Sequence, residues 1–207
     1  TNMLSQTEAA ISRNLDTEGH KKILLSLKEE QTNLIELTNS LLLISQYEKI
    51  VFQDTWPQLR IDEVLYDTIA TCKRMFINMD ISLDFTSLPE NESQLLVACN
   101  DTLLKSAFRN LIKNAYNYSN NQKVNIVIEV KKPSLKIIFI NTGNQLTSAE
   151  IDKMKMPFFR GQNAVNKKGF GLGLSIVNKI IELHKGSIVY NAINDNINQF
   201  VITLPIA

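Results

Sequence analysis

The residue pattern with the plainest chemical use is Lys167-Lys168-Gly169-Phe170-Gly171-Leu172-Gly173-Leu174-Ser175-Ile176-Val177. Three glycines at alternate positions end a polar loop and lead straight into an apolar helix. Glycine lets the backbone approach a phosphate closely and adopt positive φ, and the exposed amides of a helix start favour an anion. A flexible loop capped by a helix would look the same, so the glycines alone name no ligand. The dinucleotide-binding fingerprint fits poorly, because no strand leads directly into them.

A second pattern is Phe108-Arg109-Asn110-Leu111-Ile112-Lys113-Asn114-Ala115-Tyr116-Asn117-Tyr118-Ser119. At about 100° per residue, Asn110, Asn114 and Asn117 fall on one helix stripe, beside an apolar stripe of Leu104, Ala107, Phe108, Leu111 and Ala115. Asn is a middling helix former, so three on one face need either solvent or a ligand. A hard Mg²⁺ takes an amide oxygen and keeps phosphate oxygens and waters as its other ligands. Third, Ile140-Asn141-Thr142-Gly143-Asn144 ends a strand with a polar side chain that could read the edge of a purine. Fourth, Met156-Pro157-Phe158-Phe159-Arg160-Gly161 pairs aromatics that could anchor a mobile loop, leaving Arg160 free to meet a phosphate. Two aromatics beside a Pro are more often core than catalytic.

The elements that position these residues fall into two regimes, with a seam near residues 50–57. Before it there is no Pro and a single glycine, Gly19. Residues 1–14 read as the end of a helix, and Leu15-Asp16-Thr17-Glu18-Gly19 as turn and capping residues. A long amphipathic helix then runs to Glu48. Leu24, Leu27, Leu34, Leu37, Leu41 and Ile44 recur on it at spacings of three, four or seven, with Lys28, Glu29, Glu36 and Asn39 opposite. So narrow a stripe needs partner helices, supplied by the first helix and by a second copy of the chain.

Trp56-Pro57 breaks the pattern, and a mixed order follows. Leu59–Ile61 reads as a short strand, Asp62 as the cap of a helix to about Asn78, and Ile81, Leu83 and Phe85 as an alternating strand. Residues 94–98 read as a strand, Asp101–Asn117 as a helix and Ser148–Met154 as a short helix. Val124, Ile126, Ile128 and Val130 alternate, as do Leu135, Ile137 and Phe139, with Lys132-Pro133-Ser134 as their turn. Ile188 with Tyr190, then Phe200, Ile202 and Leu204, close the chain as strands. The class is α+β: an antiparallel or mixed sheet with helices on one face, a two-layer α/β sandwich preceded by a helical hairpin.

Taken in order between Asn110 and Val177, the four patterns resemble the nucleotide-binding boxes of the histidine-kinase branch of the GHKL ATPase superfamily, whose ATP-binding fold is the Bergerat type. The resemblance runs from Leu59 to the C-terminus, and residues 1–50 resemble the dimerisation helices that precede this domain in histidine kinases. Leu183-His184-Lys185-Gly186 is also typical of that branch, with His184 a structural residue. The resemblance implies two domains, a partial dimerisation hairpin over 1–50 and an ATP-binding catalytic domain over 55–207. It implies ATP and Mg²⁺ as ligands, and γ-phosphoryl transfer to a histidine on the dimerisation helix, then to an aspartate on a response-regulator receiver domain.

Residue by residue, it implies that Asn114 holds Mg²⁺, that Asn110 contacts phosphate or a metal-bound water, and that Tyr118 lines the pocket. Asn141 and Gly143 would meet adenine. Arg160, Lys167, Lys168 and the loop Gly169, Gly171, Leu172, Gly173 and Leu174 would meet the phosphates. There are three departures. Asn117 stands where many relatives have Lys, Asn141 where most have Asp, and Gln145 where the box has a second Gly.

The family's His-Glu phosphoacceptor dipeptide followed by Thr-Pro does not occur, and His20 is followed by Lys21-Lys22. The acceptor and its acidic neighbour are therefore expected upstream of residue 1, and self-phosphorylation of these residues is not expected. The rival readings are an impaired nucleotide-binding or docking module, for which Asn117, Asn141 and Gln145 argue, and another GHKL ATPase, against which the long hairpin argues.

Composition bounds the rest. The 207 residues are 44% hydrophobic and 21% charged, with net charge +1, so no basic field points to nucleic acid. Cys72 and Cys99 lack metal-ligand or redox spacing and read as buried thiols. No stretch approaches the roughly 20 apolar residues of a membrane span. The expectation is a cytoplasmic piece whose parent is anchored in the inner membrane through other regions.

Overall fold

The computed structural model describes residues 2–12, 16–47, 56–76, 79–84, 89, 91–164, 167 and 169–207. The chain divides into two compact units, Thr1–Leu43 and Ile44–Ala207.

The first unit holds helix α1 (Asn2–Ser12) and the start and body of α2 (Thr17–Tyr47). Asp16 Oδ1 accepts the Gly19 amide at 2.8 Å, so Thr17–Gly19 open the helix and do not form the expected turn. A side-chain oxygen satisfying a free first-turn amide is the usual reason a helix starts where it does. His20 is exposed, with Nδ1 3.0 Å from the Asp16 carbonyl, a helix-terminal residue as expected. Leu24 is 64% exposed and Leu34 48%, joined by exposed Leu25, Ile35 and Leu42. Leu37, Leu41, Ile44, Glu29, Glu36 and Asn39 lie outside the described side chains, and Glu48 outside the described residues.

The second unit opens with β1 (Gln58–Arg60), α3 (Ile61–Met75), β2 (Asp80–Asp84), β3 (Leu96–Ala98) and α4 (Asp101–Tyr118). It continues with β4 (Lys123–Lys131), β5 (Ser134–Thr142), α5 (Ser148–Ile151), α6 (Gly173–Leu183), β6 (Ser187–Ile193) and β7 (Ile197–Pro205). The main sheet has five strands in the order β2-β4-β5-β7-β6, with β2 parallel to β4 and every other pair antiparallel; β1 pairs with β3 separately. Helices α3, α4 and α6 pack together and against the sheet. The inward positions Ile126, Ile128, Leu135, Ile137, Phe139 and Ile202 meet Leu104, Phe108 and Leu111 of α4 and Val177 and Ile180 of α6, all fully buried. Period two in the strands and period 3.6 in the helices direct the apolar sides to one layer, as expected of a two-layer sandwich.

Several local readings are corrected. Ile61 begins α3 and does not end a strand, because Arg60 is the extended residue at the cap and its guanidinium reaches forward to Asp62 and Glu92, each at 2.7 Å. Asp62 therefore sits inside the first turn and not at the cap. The helix ends at Met75, short of Asn78, which lies outside the described residues, as does Phe85. Of the strand expected over 94–98, only Leu96–Ala98 forms; residues 94 and 95 end a 3₁₀ turn, Glu92–Leu95, because the Asn91 side chain accepts the Ser93 amide at 3.0 Å and bends the chain. The helix over 148–154 is one turn, Ser148–Ile151, followed by turns.

His184 is fully buried where α6 ends. Its Nε2 accepts the Asn100 amide at 3.2 Å, so Nδ1 carries the proton and donates to the Ile180 carbonyl at 2.7 Å. The Trp56 ring lies against it at 4.6 Å between centroids. Burial holds the imidazole below its ordinary value, which keeps it neutral and structural. Cys72 and Cys99 are buried, and burial pushes the Cys99 thiol up to about 11.

Candidate functional site

The floor of the site grows out of β5. Its inward series Leu135, Ile137, Phe139 continues with Asn141, which is 4% exposed and whose Nδ2 has no hydrogen-bond partner. Two residues on, Gly143 lies against the end of α4. A Cβ there would stand 2.0 Å from the Tyr118 carbonyl oxygen, so only glycine allows this approach. The Gly143 amide donates to the Asn196 carbonyl at 2.8 Å, and Asn198 Nδ2 donates to the Gly143 carbonyl at 3.2 Å. The Tyr190 hydroxyl donates to Asn198 Oδ1 at 2.6 Å and accepts the Leu146 amide at 3.1 Å. Gln145 Nε2 points at the carbonyls of Asn194 (2.8 Å), Ile197 (3.0 Å) and Ile193 (3.3 Å), tying the loop to the β6–β7 hairpin.

The wall is formed where α4 crosses the start of α6. Asn110 Nδ2 donates to the Ser106 carbonyl at 2.9 Å, which aims its Oδ1 outward. A Cβ on Gly173 would lie 3.3 Å from that oxygen, so the glycine brings the α6 start close to the asparagine stripe. Leu172 precedes α6 without a side-chain cap, leaving the first amides of that helix without a side-chain acceptor. Asn114, Asn117 and Tyr118 are half-buried further along α4. Burial pushes the Tyr118 phenol up, while the Arg160 guanidinium acts the other way.

The lid is the segment from Met156 to Leu172. Arg160 Nη2 donates to the Ala164 carbonyl at 2.5 Å and to the Lys167 carbonyl. The guanidinium is thus engaged in folding the segment back on itself, and is not the free cation expected from the sequence. Gly171, at φ +74°, sits under the backbone of Phe158 and Phe159; a Cβ there would be 2.4 Å from the Phe159 carbonyl oxygen. Glu150 fastens the far side. Its carboxylate accepts the Thr147 amide at 2.8 Å, the Gln162 amide at 2.6 Å and the Thr147 hydroxyl at 2.8 Å. Those bonds, the Thr147 amide first, hold its carboxyl below the usual range. Phe158 is 61% exposed, and Met156 and Phe170 are exposed too. Lys167 and Gly169 are exposed, Leu172 is buried and Leu174 half-buried. Lys168 lies outside the described residues.

Of the residues expected at the site, the fold joins Asn110 to Gly173, Tyr118 to Gly143 and Asn141, and Arg160 to Lys167. Sequence reasoning missed Tyr190, Asn198 and Glu150, and saw Gln145 only as a lost glycine. Asn198 had a signal: a polar residue in phase with Phe200, Ile202 and Leu204 faces the core and needs a buried partner. Thr147 three residues before Glu150 also carries the spacing of a capping box. Among the described residues no group of three or more His, Cys, Asp or Glu is placed to hold a metal ion. Asn114, an amide ligand, remains the candidate.

A family profile described as "Histidine kinase-, DNA gyrase B-, and HSP90-like ATPase" matches residues 99–207. The chain is 27% identical over 192 residues to the "Probable sensor protein PcoS" of Escherichia coli, covering 91% of this chain and 40% of that protein. It is 27% identical over 215 residues to the "Sensor histidine kinase HprS" of Escherichia coli (strain K12), covering 98% of this chain and 43% of that protein. The chain thus spans well under half the length of these curated relatives. Among solved structures, histidine kinase ThkA in complex with response regulator protein TrrA superposes with a TM-score of 0.77 at 20% identity, over 100% of this chain and 57% of that one. That likeness shows the fold.

Proposed function

We propose, from the premise that the chain belongs to the histidine kinase-, DNA gyrase B-, and HSP90-like ATPase family, that its second unit binds ATP with Mg²⁺ as the catalytic core of a sensor histidine kinase. In the full-length protein this core transfers the γ-phosphoryl group to a histidine for relay to a response-regulator aspartate. The observation that carries the reading is Asn141: a buried amide with an unpartnered nitrogen, beside a glycine no side chain could replace. Burying such a group without a partner costs about 1–3 kcal/mol, which a turn of the amide toward a purine edge would recover.

The rest of the site fits the same ligand. The uncapped first amides of α6 would donate to phosphate oxygens, and Asn110 Oδ1 beside them, an acceptor, would reach the phosphates through a metal-bound water. Asn114 would hold Mg²⁺, which supplies charge neutralisation between phosphates. Asn117 and Tyr118 line the same stripe. Lys167, Lys168 and the loop Gly169–Leu174 close over the phosphates, and Arg160 joins them by exchanging its carbonyl partners for phosphate oxygens. Catalysis of this kind is mostly positioning and charge neutralisation. Gln145 argues against a disabled site, since its amide takes up a structural load at the hairpin.

The exposed apolar residues of α1 and α2 support a dimerisation hairpin over residues 1–50 in a homodimeric bundle, with 55–207 as the catalytic domain. A response-regulator receiver domain is the proposed partner, since ThkA was solved in complex with response regulator protein TrrA. Neither exposed His20 nor buried His184 suits the acceptor role, which is assigned to the longer protein. Among the described residues no helix is long and apolar enough to cross a membrane. A cytoplasmic position under an anchored parent is part of the same proposal.

Calorimetric titration with ATP, with and without Mg²⁺, tests it. Saturable binding whose Mg²⁺-dependent part is lost in Asn114→Ala is expected. An affinity that Asn114→Ala leaves unchanged, with and without metal, removes Asn114 from the site. No binding at millimolar nucleotide overturns the reading.

A further inference from the structure

Two asparagines face each other in register across β5 and β7, Asn141 and Asn198, both 4% exposed. Asn198 is locked, with Oδ1 accepting from the Tyr190 hydroxyl and Nδ2 donating to the Gly143 carbonyl. Asn141 is not, since its Nδ2 has no partner. The terminal torsion of an asparagine is broad and roughly two-fold, so an amide that nothing fixes can present its oxygen or its NH₂ to a given point. We propose that Asn141 is a base-reading group of unfixed polarity, and that the site accepts 6-oxopurine nucleoside triphosphates as well as ATP. The proposal rests on the nucleotide-site reading above and deepens it.

The chemistry follows from the two purine edges. Adenine offers an amino donor at position 6 beside a ring-nitrogen acceptor. Hypoxanthine offers a carbonyl acceptor at position 6 beside a ring N–H donor. An amide matches the first with its oxygen over the amino group, and the second after a half turn. A carboxylate only accepts, so it matches the amino group and opposes the carbonyl lone pair to lone pair. Sites with a fixed hydrogen-bonding polarity reject the mismatched analogue by orders of magnitude. An amide that can turn gives up that discrimination. Held as Asn198 is, Asn141 would present one fixed polarity; the missing partner separates them.

Inosine triphosphate is the right probe, because it differs from ATP only at position 6 and the adjacent ring nitrogen. Guanine would add a 2-amino group and test space as well. The 207-residue chain is titrated with ATP and with inosine triphosphate in Mg²⁺, as wild type, Asn141→Asp and Asn141→Ala. The wild type should bind the two nucleotides within about tenfold of each other, and Asn141→Asp should keep ATP while weakening inosine triphosphate by roughly a hundredfold. Asn141→Ala, which adds no buried charge and so covers a failure of Asn141→Asp to fold, should weaken both and leave their ratio near one. Wild-type binding of ATP with inosine triphosphate more than about tenfold weaker overturns this inference and leaves the ATP reading standing. Unchanged affinities in Asn141→Ala overturn it too. Binding of neither nucleotide to the wild type overturns both readings.

Discussion

The floor of the site around Gly143 and its lid from Met156 to Leu172 use hydrogen bonds in different ways. At the floor the bonds are long-range: β5 and the loop after it are tied to the β6–β7 hairpin by Gly143, Asn198, Tyr190 and Gln145. Moving any of these groups disturbs a packed sheet. In the lid the bonds are short-range: Arg160 holds carbonyls four and seven residues on, and Glu150 holds an amide twelve residues on. The lid leaves Met156, Phe158 and Phe170 exposed, whereas the floor buries Asn141, Tyr190 and Asn198. A segment with few buried apolar contacts opens at lower free energy than the whole domain unfolds. The proposed base-reading end is therefore tied into the sheet, and the proposed phosphate end is held mainly by its own local bonds.

One substitution made at both ends puts that contrast at risk. Gly143→Ala sets a Cβ against the backbone carbonyl of Tyr118, with nothing flexible to yield. It should cost about 3 kcal/mol or more of global stability and abolish nucleotide binding, read by thermal melting and titration. A melting point near wild type would show that the floor is not rigid.

Gly171→Ala makes a comparable clash with the Phe159 carbonyl at a positive φ. Its global cost is capped by the free energy of opening the lid, so melting should fall by less than about 1 kcal/mol equivalent while nucleotide affinity falls roughly tenfold. A loss as large as that of Gly143→Ala would erase the distinction between the two ends.

The smallest effect is electrostatic. The folded Glu150 carboxyl is held below its ordinary value, so its contribution is full above the ordinary carboxylate range and is lost as pH falls through the lowered folded value. Glu150→Gln should remove that acid-side slope, with a difference under about 1 kcal/mol because the group is close to solvent. Comparing melting points of the two proteins from neutral pH into the acid range checks it. Equal slopes would leave Glu150 without a charged role in the lid.

Much of this was readable beforehand, for stated reasons. The alternation of β4, β5 and β7 and the apolar stripe of α4 specify their own faces, because side-chain direction repeats with the backbone. The four motifs were legible because each is contiguous in sequence. The errors fell where one side chain decides a boundary: Arg60 over Asp62, Asn91 over Ser93, Asp16 over Gly19. Such caps leave the sequence pattern almost unchanged and move an element's end by about one or two residues.

The sequence by itself determined the α+β class and the helical stretch ahead of it, and it supplied the residues proposed to meet a nucleotide, since these depend on period, glycine placement and residue type. The tertiary structure alone decided that Arg160 folds the lid, that Gln145 clamps a hairpin some fifty residues on, and that Asn198 is locked while Asn141 is not. Hydrogen-bond partners distant in sequence leave no local pattern, and a buried amide's role depends on which partners the packed fold supplies.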